Sequence, residues 1–348
     1  MSSPAEEARR VLERAVADGE VPGAAAALGD AERPPHLITC GVRRYGGEAV
    51  TGDTRYDLAS LTKVVATLPA LLKLVDDREI RLDDRVERFF SNAGWFQSPS
   101  LADATIEQLL THTSGLPAWK PLFALVSKRD TAVANVLQTR LEHPAGTLLY
   151  SDLGFIVLGA VVERVTGMRL DHFVRSAVFE PLGMTATTFG PLKGVPVAAT
   201  EECGWRNRLL AGEVHDENAY VMAGVAGHAG LFATAGDLAS YARAWLNRDP
   251  RLASEALLTE ATRERIASGD TRRGLGWLLA GGNGSVPGAS PQAFGHTGFT
   301  GTSLWIDPEA DRFSVLLSNR VHPDRRRGAR LGELRAAFHR AAAGARVG

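Results

Sequence analysis

The chain has 348 residues, 45% of them hydrophobic and 23% charged, with a formal net charge of −1. That balance is ordinary for a globular domain and leaves no electrostatic footprint for nucleic acid or an anionic membrane. No apolar run approaches the roughly 18 residues of a membrane span. No basic segment followed by an apolar stretch opens the chain, so the expected location is the cytoplasm, or the periplasm or exterior if a signal was removed. The two cysteines, Cys40 and Cys203, match no metal or redox spacing and are expected to be idle or buried thiols.

The first residues read as an amphipathic helix, with Ala8, Val11, Leu12, Ala15 and Val16 at helical spacing and Glu6 and Glu7 in the first turn. Val21 to Leu28 and His36 to Val42 read as two strands joined by a polar turn. After Ser60, an apolar stripe from Leu61 to Val75 predicts a buried helix, with Pro69 kinking it or strained near its middle. From 76 to 220 the pattern is mainly helical. Residues 152–166 form the clearest helix, with Asp152 as its expected cap and Gly167 as its stop, and 170–179 form another. Residues 211–235, rich in Gly, Ala and His, read as an irregular loop, followed by a helix from Gly236 or Asp237. Four strands are expected at 274–279, 293–298, 302–307 and 312–318, then a closing amphipathic helix that carries Leu331, Leu334 and Phe338. Residues 281–290 read as a surface loop. Strands at both ends around a helical middle predict an α+β fold: an antiparallel β-sheet flanked by N- and C-terminal helices, with an inserted mainly helical region. The expected division is 1–75 with 221–348 as the sheet domain and 76–220 as the insertion.

Three short motifs carry chemistry. Ser60-Leu61-Thr62-Lys63 places a hydroxyl at a helix start and an amine one turn later on the same face. A serine oxygen needs a nearby base and a place for the developing oxyanion, and a buried lysine pushed toward its neutral form could accept the proton. Lysine occurs at only five positions in the chain, which sharpens the pairing. Tyr150-Ser151-Asp152 offers a phenol able to relay protons between nucleophile and leaving group. His296-Thr297-Gly298 sits where a strand should run, its glycine permitting close approach of a ligand to the backbone. Each motif alone has a bland reading, as a chance match, a packed aromatic or a strand end.

In this order the three motifs resemble the family of class C β-lactamases, DD-carboxypeptidases and related penicillin-binding serine esterases. The likeness extends to LLTHTSGLP (109–117), PAGTLLYSDLGFIVLGAVVERVTG (144–167), GHAGLFATAGDLA (227–239) and GHTGFTGTSLWIDP (295–308), nearly the whole chain. It implies Ser60 as acylated nucleophile, Lys63 as its proton-accepting partner and Tyr150 as proton shuttle, with the choice of base between Lys63 and Tyr150 left open. The oxyanion hole would be the N–H groups of Ser60 and Phe299, and His296, Thr297 and Gly298 would line the substrate channel. Within Arg325-Arg326-Arg327, at least one side chain, assigned to Arg327, would receive a substrate carboxylate. Neither metal nor organic cofactor is implied.

Two departures lean away from β-lactam turnover. Asp152 stands where the family usually has Asn; a carboxylate cannot donate to a substrate carbonyl but can pair with Lys63 and hold it charged. His296 replaces the lysine typical of class C β-lactamases. His215, Asp216 and His228 are expected to line the pocket, and His112 to be a structural imidazole bonded to backbone. The expected activity is a serine hydrolase acting on a D-amino-acid peptide of muropeptide type, or on a carboxylic ester. The alternatives are a weak β-lactamase and a non-hydrolytic penicillin-binding sensor. The expected partner is a small-molecule or short-peptide substrate.

Overall fold

In a computed structural model, the protein is described over residues 2–90, 96, 101–281, 286–326 and 330–344. Ser3 caps the helix Pro4–Ala17 in a reciprocal capping box with Glu6, so the helix starts where its sequence says it should. Gly23–Gly29 and His36–Gly41 pair antiparallel. They join Arg312–Ser318, Ser303–Asp307, Phe294–Thr297, Leu278–Leu279, Thr271–Arg273 and Ile266–Ser268 in one eight-stranded antiparallel sheet. The two edge-proximal strands Ile266–Ser268 and Thr271–Arg273 were not expected from sequence, and residues 274–277 turn where a strand was expected.

The strand Gly23–Gly29 shows how the layers form. Its side chains alternate between faces, so Ala24, Ala26 and Leu28 join Ala8, Leu12, Ala15, Leu334 and Phe338 under the terminal helices. Ala25 and Ala27 face the larger core on the other side. Alanine on both faces lets helices approach the sheet closely. The closing helix Leu331–Ala342 lies beside Pro4–Ala17 on the outer face. His339 fixes it there, its two ring nitrogens each 2.7 Å from a strand hydroxyl, those of Ser303 and Ser314.

On the inner face lies the helix Ala235–Leu246, capped by Thr234. Its Tyr241 hydroxyl donates to the carbonyl of Val64, tying it to the segment after Ser60. That segment is helical from Leu61, with a π-helical stretch Lys63–Thr67 running into the α-helix Leu68–Asp76. Pro69 lies just after the change of helix type, and the Val64 carbonyl before it accepts from Tyr241. Two further differences lie in the Gly-rich region 211–235, which contains the short helix Glu217–Val221 and the strand Leu231–Ala233. Cys40 and Cys203 are both free thiols. Residues 282–285 of the expected surface loop lie outside the described residues.

Candidate active site

The strand Tyr56–Asp57 pairs with Leu231–Ala233, and the chain then turns sharply at Ala59, whose φ is +46°. A β-carbon-bearing residue enters that region only when its surroundings hold it there. The holding groups are visible. Buried Asp57 accepts from the Ala59 N–H at 2.8 Å and from the His215 N–H at 2.6 Å. Thr300 donates to the Asp57 carbonyl at 2.6 Å and Thr302 to the Leu58 carbonyl at 3.0 Å. A β-carbon on Gly298 would fall on that Leu58 oxygen and on the Thr302 hydroxyl. The close approach that Gly298 permits is thus made by the protein's own backbone, and it clamps the end of strand Phe294–Thr297 against Ser60. Among the described residues, neither the Ser60 N–H nor the Phe299 N–H donates a hydrogen bond.

Lys63 is fully buried, its Nζ 3.0 Å from Ser60 Oγ, 2.7 Å from Asp152 Oδ1 and 3.4 Å from the His228 carbonyl. Burial works to strip its proton, as expected from sequence. The Asp152 carboxylate, with Tyr150 beside it, outweighs burial, and the net shift is upward, so the amine is charged. Asp152 is accordingly not a cap. Ser151 occupies the N-cap position of the helix Asp152–Thr166, its hydroxyl donating to the Pro117 carbonyl and its N–H to His112 Nδ1. Asp152 is the first helical residue, where the helix dipole favours a negative charge, and its carboxylate turns to the lysine. Gly167 ends that helix at φ +68°, as the sequence indicates.

Tyr150 lies among cations and imidazoles. Its ring centroid is 4.9 Å from Lys63 Nζ, 4.5 Å from the His112 ring and 6.0 Å from the His296 ring. His112 and His296 are buried, and burial first, then the charges of Arg273 and Lys63, hold both well below the ordinary histidine range, hence neutral. His112 Nδ1 accepts from Ser151, so its proton is on Nε2; His296 Nδ1 faces the Thr297 carbonyl at 2.8 Å and must donate there, so its Nε2 carries a lone pair. Thr297, Gly298 and half-exposed Phe299 line the same cleft of about 600 Å³ as Ser60, Tyr150, Asp152 and His296.

His215, Asp216 and His228 line this cleft too. His228 Nε2 is 2.9 Å from Asp216, and His215 Nε2 is 3.1 Å from Glu201. Burial would raise the Asp216 and Glu201 carboxyls, but these histidines, and Arg325 beside Glu201, drive both well below the usual range. Arg325 reaches the cleft already neutralised by Glu201 and Glu217. Arg326 is exposed and pairs with Asp324. Arg327, the residue assigned to a substrate carboxylate, lies outside the described residues.

Sequence reasoning missed Arg273. It sits on the cleft wall at the end of strand Thr271–Arg273, only 6% exposed, with its guanidinium carbon 5.1 Å from the Tyr150 ring centroid. The sequence signal was faint: three residues, Thr271-Arg272-Arg273, in which alternation turns one arginine out and the other in.

The Beta-lactamase family model matches residues 8–337. The chain belongs to the β-lactamase family. Among curated relatives, the "Putative D-alanyl-D-alanine carboxypeptidase" of Escherichia coli (strain K12) is 37% identical over 311 residues, 79% of this chain and 71% of that one. Two solved structures share the fold. EstCE1, described as a hydrolase with promiscuous acyltransferase activity, aligns with a TM-score of 0.80 at 22% identity over 98% of both chains. A class C β-lactamase from Rhodobacter sphaeroides aligns with a TM-score of 0.76 at 18% identity, covering 97% of this chain and 98% of that one. The protein is a serine hydrolase of the β-lactamase family, with the mixed antiparallel-sheet and helix fold its sequence implied.

Proposed function

We propose that this β-lactamase-family hydrolase cleaves a D-amino-acid peptide of DD-carboxypeptidase type through an acyl-enzyme on Ser60. The supporting observation is the line Ser60 Oγ–Lys63 Nζ–Asp152 Oδ1, at 3.0 and 2.7 Å, at the floor of a cleft that also holds Tyr150. A lysine held charged has no lone pair, so Lys63 donates to Ser60 Oγ and orients it, and Tyr150 relays the serine proton, its oxygen taking that proton up as its own O–H proton passes to the scissile nitrogen. Ser60 Oγ attacks the scissile carbonyl carbon. The oxyanion is received by the free N–H groups of Ser60 and Phe299, which the Thr300 and Thr302 bonds to residues 57–58 hold in register. The C–N bond breaks with the nitrogen so protonated, and water then hydrolyses the acyl-serine. The E. coli relative's name favours the peptide over an ester. The carboxylate of Asp152, which cannot donate to a substrate carbonyl, argues against efficient β-lactam turnover.

The test is incubation with a p-nitrophenyl ester, an N-acyl-D-alanyl-D-alanine peptide and a fluorescent penicillin, read by turnover and intact mass. Release of D-alanine with a transient adduct on Ser60 is the expected result. A stable penicillin adduct without turnover of ester or peptide would replace the enzyme reading by a binding one. Ser60→Ala should abolish every adduct while thermal unfolding stays unchanged. Lys63→Ala should slow acylation about 10³-fold; a loss below tenfold would remove Lys63 from its assigned role.

A further inference from the structure

His112 stands in an unusual place for a residue with a side chain. It follows the short helix Ile106–Leu110 at φ +60° and is 2% exposed. Glycine would enter that backbone region without strain, so a histidine there has to be held by its contacts. Those contacts converge on Tyr150. The His112 carbonyl accepts from the Leu149 N–H at 2.9 Å, and Nδ1 accepts from the Ser151 N–H at 3.0 Å. The imidazole also packs on the Tyr150 ring, centroids 4.5 Å apart, with Phe155 against it at 5.2 Å. One residue thus grips the chain before Tyr150, after it, and at its ring. Among the described residues, every other hydrogen bond between 112–118 and 146–152 is accepted by a main-chain carbonyl. Nε2, buried without a partner, gives the imidazole no second hydrogen bond that would account for its presence.

The grip matters because of what the Tyr150 oxygen does. It takes up the serine proton while its own passes to the scissile nitrogen, so it has to lie within hydrogen-bond reach of both. That oxygen is at the far end of the side chain, where a small turn of residue 150 moves it most. A misplacement of about 1 Å costs on the order of 100-fold in rate. We propose that His112 is a positioning residue for the Tyr150 proton relay, holding the phenol oxygen in place through its carbonyl, its Nδ1 and its ring face. The inference rests on the relay assigned to Tyr150 and adds the residue that sets its geometry. His112 is not part of the cleft wall and acts only through Tyr150.

The experiment reads leaving groups. An amine departs only with a proton, whereas p-nitrophenolate departs without one, so a misplaced Tyr150 slows a peptide more than an activated ester. Kinetics are measured on an N-acyl-D-alanyl-D-alanine peptide and on p-nitrophenyl acetate in wild type, Tyr150→Phe, His112→Phe and His112→Asn, with thermal unfolding alongside. His112→Phe keeps a ring but offers no acceptor to Ser151. It should slow the peptide about 100-fold through kcat, with KM within about twofold, and the ester less than about tenfold. His112→Asn accepts the positive φ and supplies Oδ1 in place of Nδ1, and should recover the peptide rate to within about tenfold of wild type. A peptide-to-ester ratio of kcat/KM lowered in Tyr150→Phe but unchanged in His112→Phe would overturn the positioning role, because a merely structural residue lowers both rates alike. If His112→Phe does not fold, His112→Asn decides alone: loss of the ring should lower the ratio at least about threefold, and an unchanged ratio overturns the proposal. A ratio unchanged in Tyr150→Phe itself would refute the relay, and the positioning role with it. If wild type leaves the peptide uncleaved, the peptidase reading fails separately. Benzyl acetate, whose alkoxide also needs a proton, then replaces the peptide in the ratio.

Discussion

Asp152 decides the state of the only buried lysine among the described residues. The Lys63 proton is held above its ordinary range because the Asp152 carboxylate, with Tyr150 beside it, outweighs the burial penalty. Replacing Asp152 by Asn removes that carboxylate's charge and gives burial more weight, so the lysine should lose its proton at lower pH. The amide also gains an N–H for a substrate carbonyl. The basic limb of the kcat/KM profile of Asp152→Asn should therefore move to lower pH, and acylation by fluorescent penicillin should accelerate. An unmoved limb together with an equal loss of all activities would show that Asp152 only supports the fold. At this scale the sequence was readable where a motif names the atom: Ser60, Lys63, Tyr150 and Asp152 do meet. It was not readable where burial depends on the register of a strand too short to show alternation. Arg272 and Arg273 look alike in the chain, and only the register of Arg273 against Leu278 sends the second one inward.

Two elements hold the site by contact between backbones. The strand ending in Thr297 is pressed on residues 57–58 through Gly298. The stretch containing Gly227 is pressed on the helix Asp152–Thr166, where a β-carbon would meet the Phe155 carbonyl and Gly159. Thr67 completes the second junction by donating to the Gly227 carbonyl at 2.7 Å. Gly298→Ala must part the strand end from Ser60. It should slow acylation at least 100-fold at a stability loss of about 1–3 kcal/mol, whereas retention of full activity would mean that the clamp does not position the nucleophile. Helices were legible from local periodicity, as at 4–17, 152–166 and 235–246, because the pattern lies within one element. The short strands Ile266–Ser268 and Thr271–Arg273, the helix Glu255–Thr262 and the turn of helix at Glu217–Val221 were not. Each is too short to show a period of its own, and the two strands pair with each other and with Leu278–Leu279.

For the whole molecule, buried imidazoles set the acid limit. His339 is held neutral by burial, its proton affinity lowered to about 3, and His112 and His296 lie well below their ordinary values. Each binds its proton more readily unfolded, so below about pH 6.5 the unfolded chain gains protons that the folded one refuses. Stability from these residues is complete above that pH and falls as pH drops, for His339 toward pH 3. Denaturant midpoints should fall from pH 7 to pH 5, and His339→Gln should flatten that slope. An unchanged slope in this variant would exclude His339 as a source.

The pairing of Gly23–Gly29 with Arg312–Ser318 carries a consequence for the protein's birth. Ala24 lies opposite Ser318, and Gly29 opposite Phe313. On the ribosome, the alanine strand therefore waits with one edge open until almost the whole chain has been made. Its hairpin with His36–Gly41 can close early, but the layer that carries strand Phe294–Thr297 to Ser60 cannot. Synthesis halted before residue 312 thus leaves the sheet without the strand that joins Gly23–Gly29 to Ser303–Asp307, and that edge stays open for as long as it is missing.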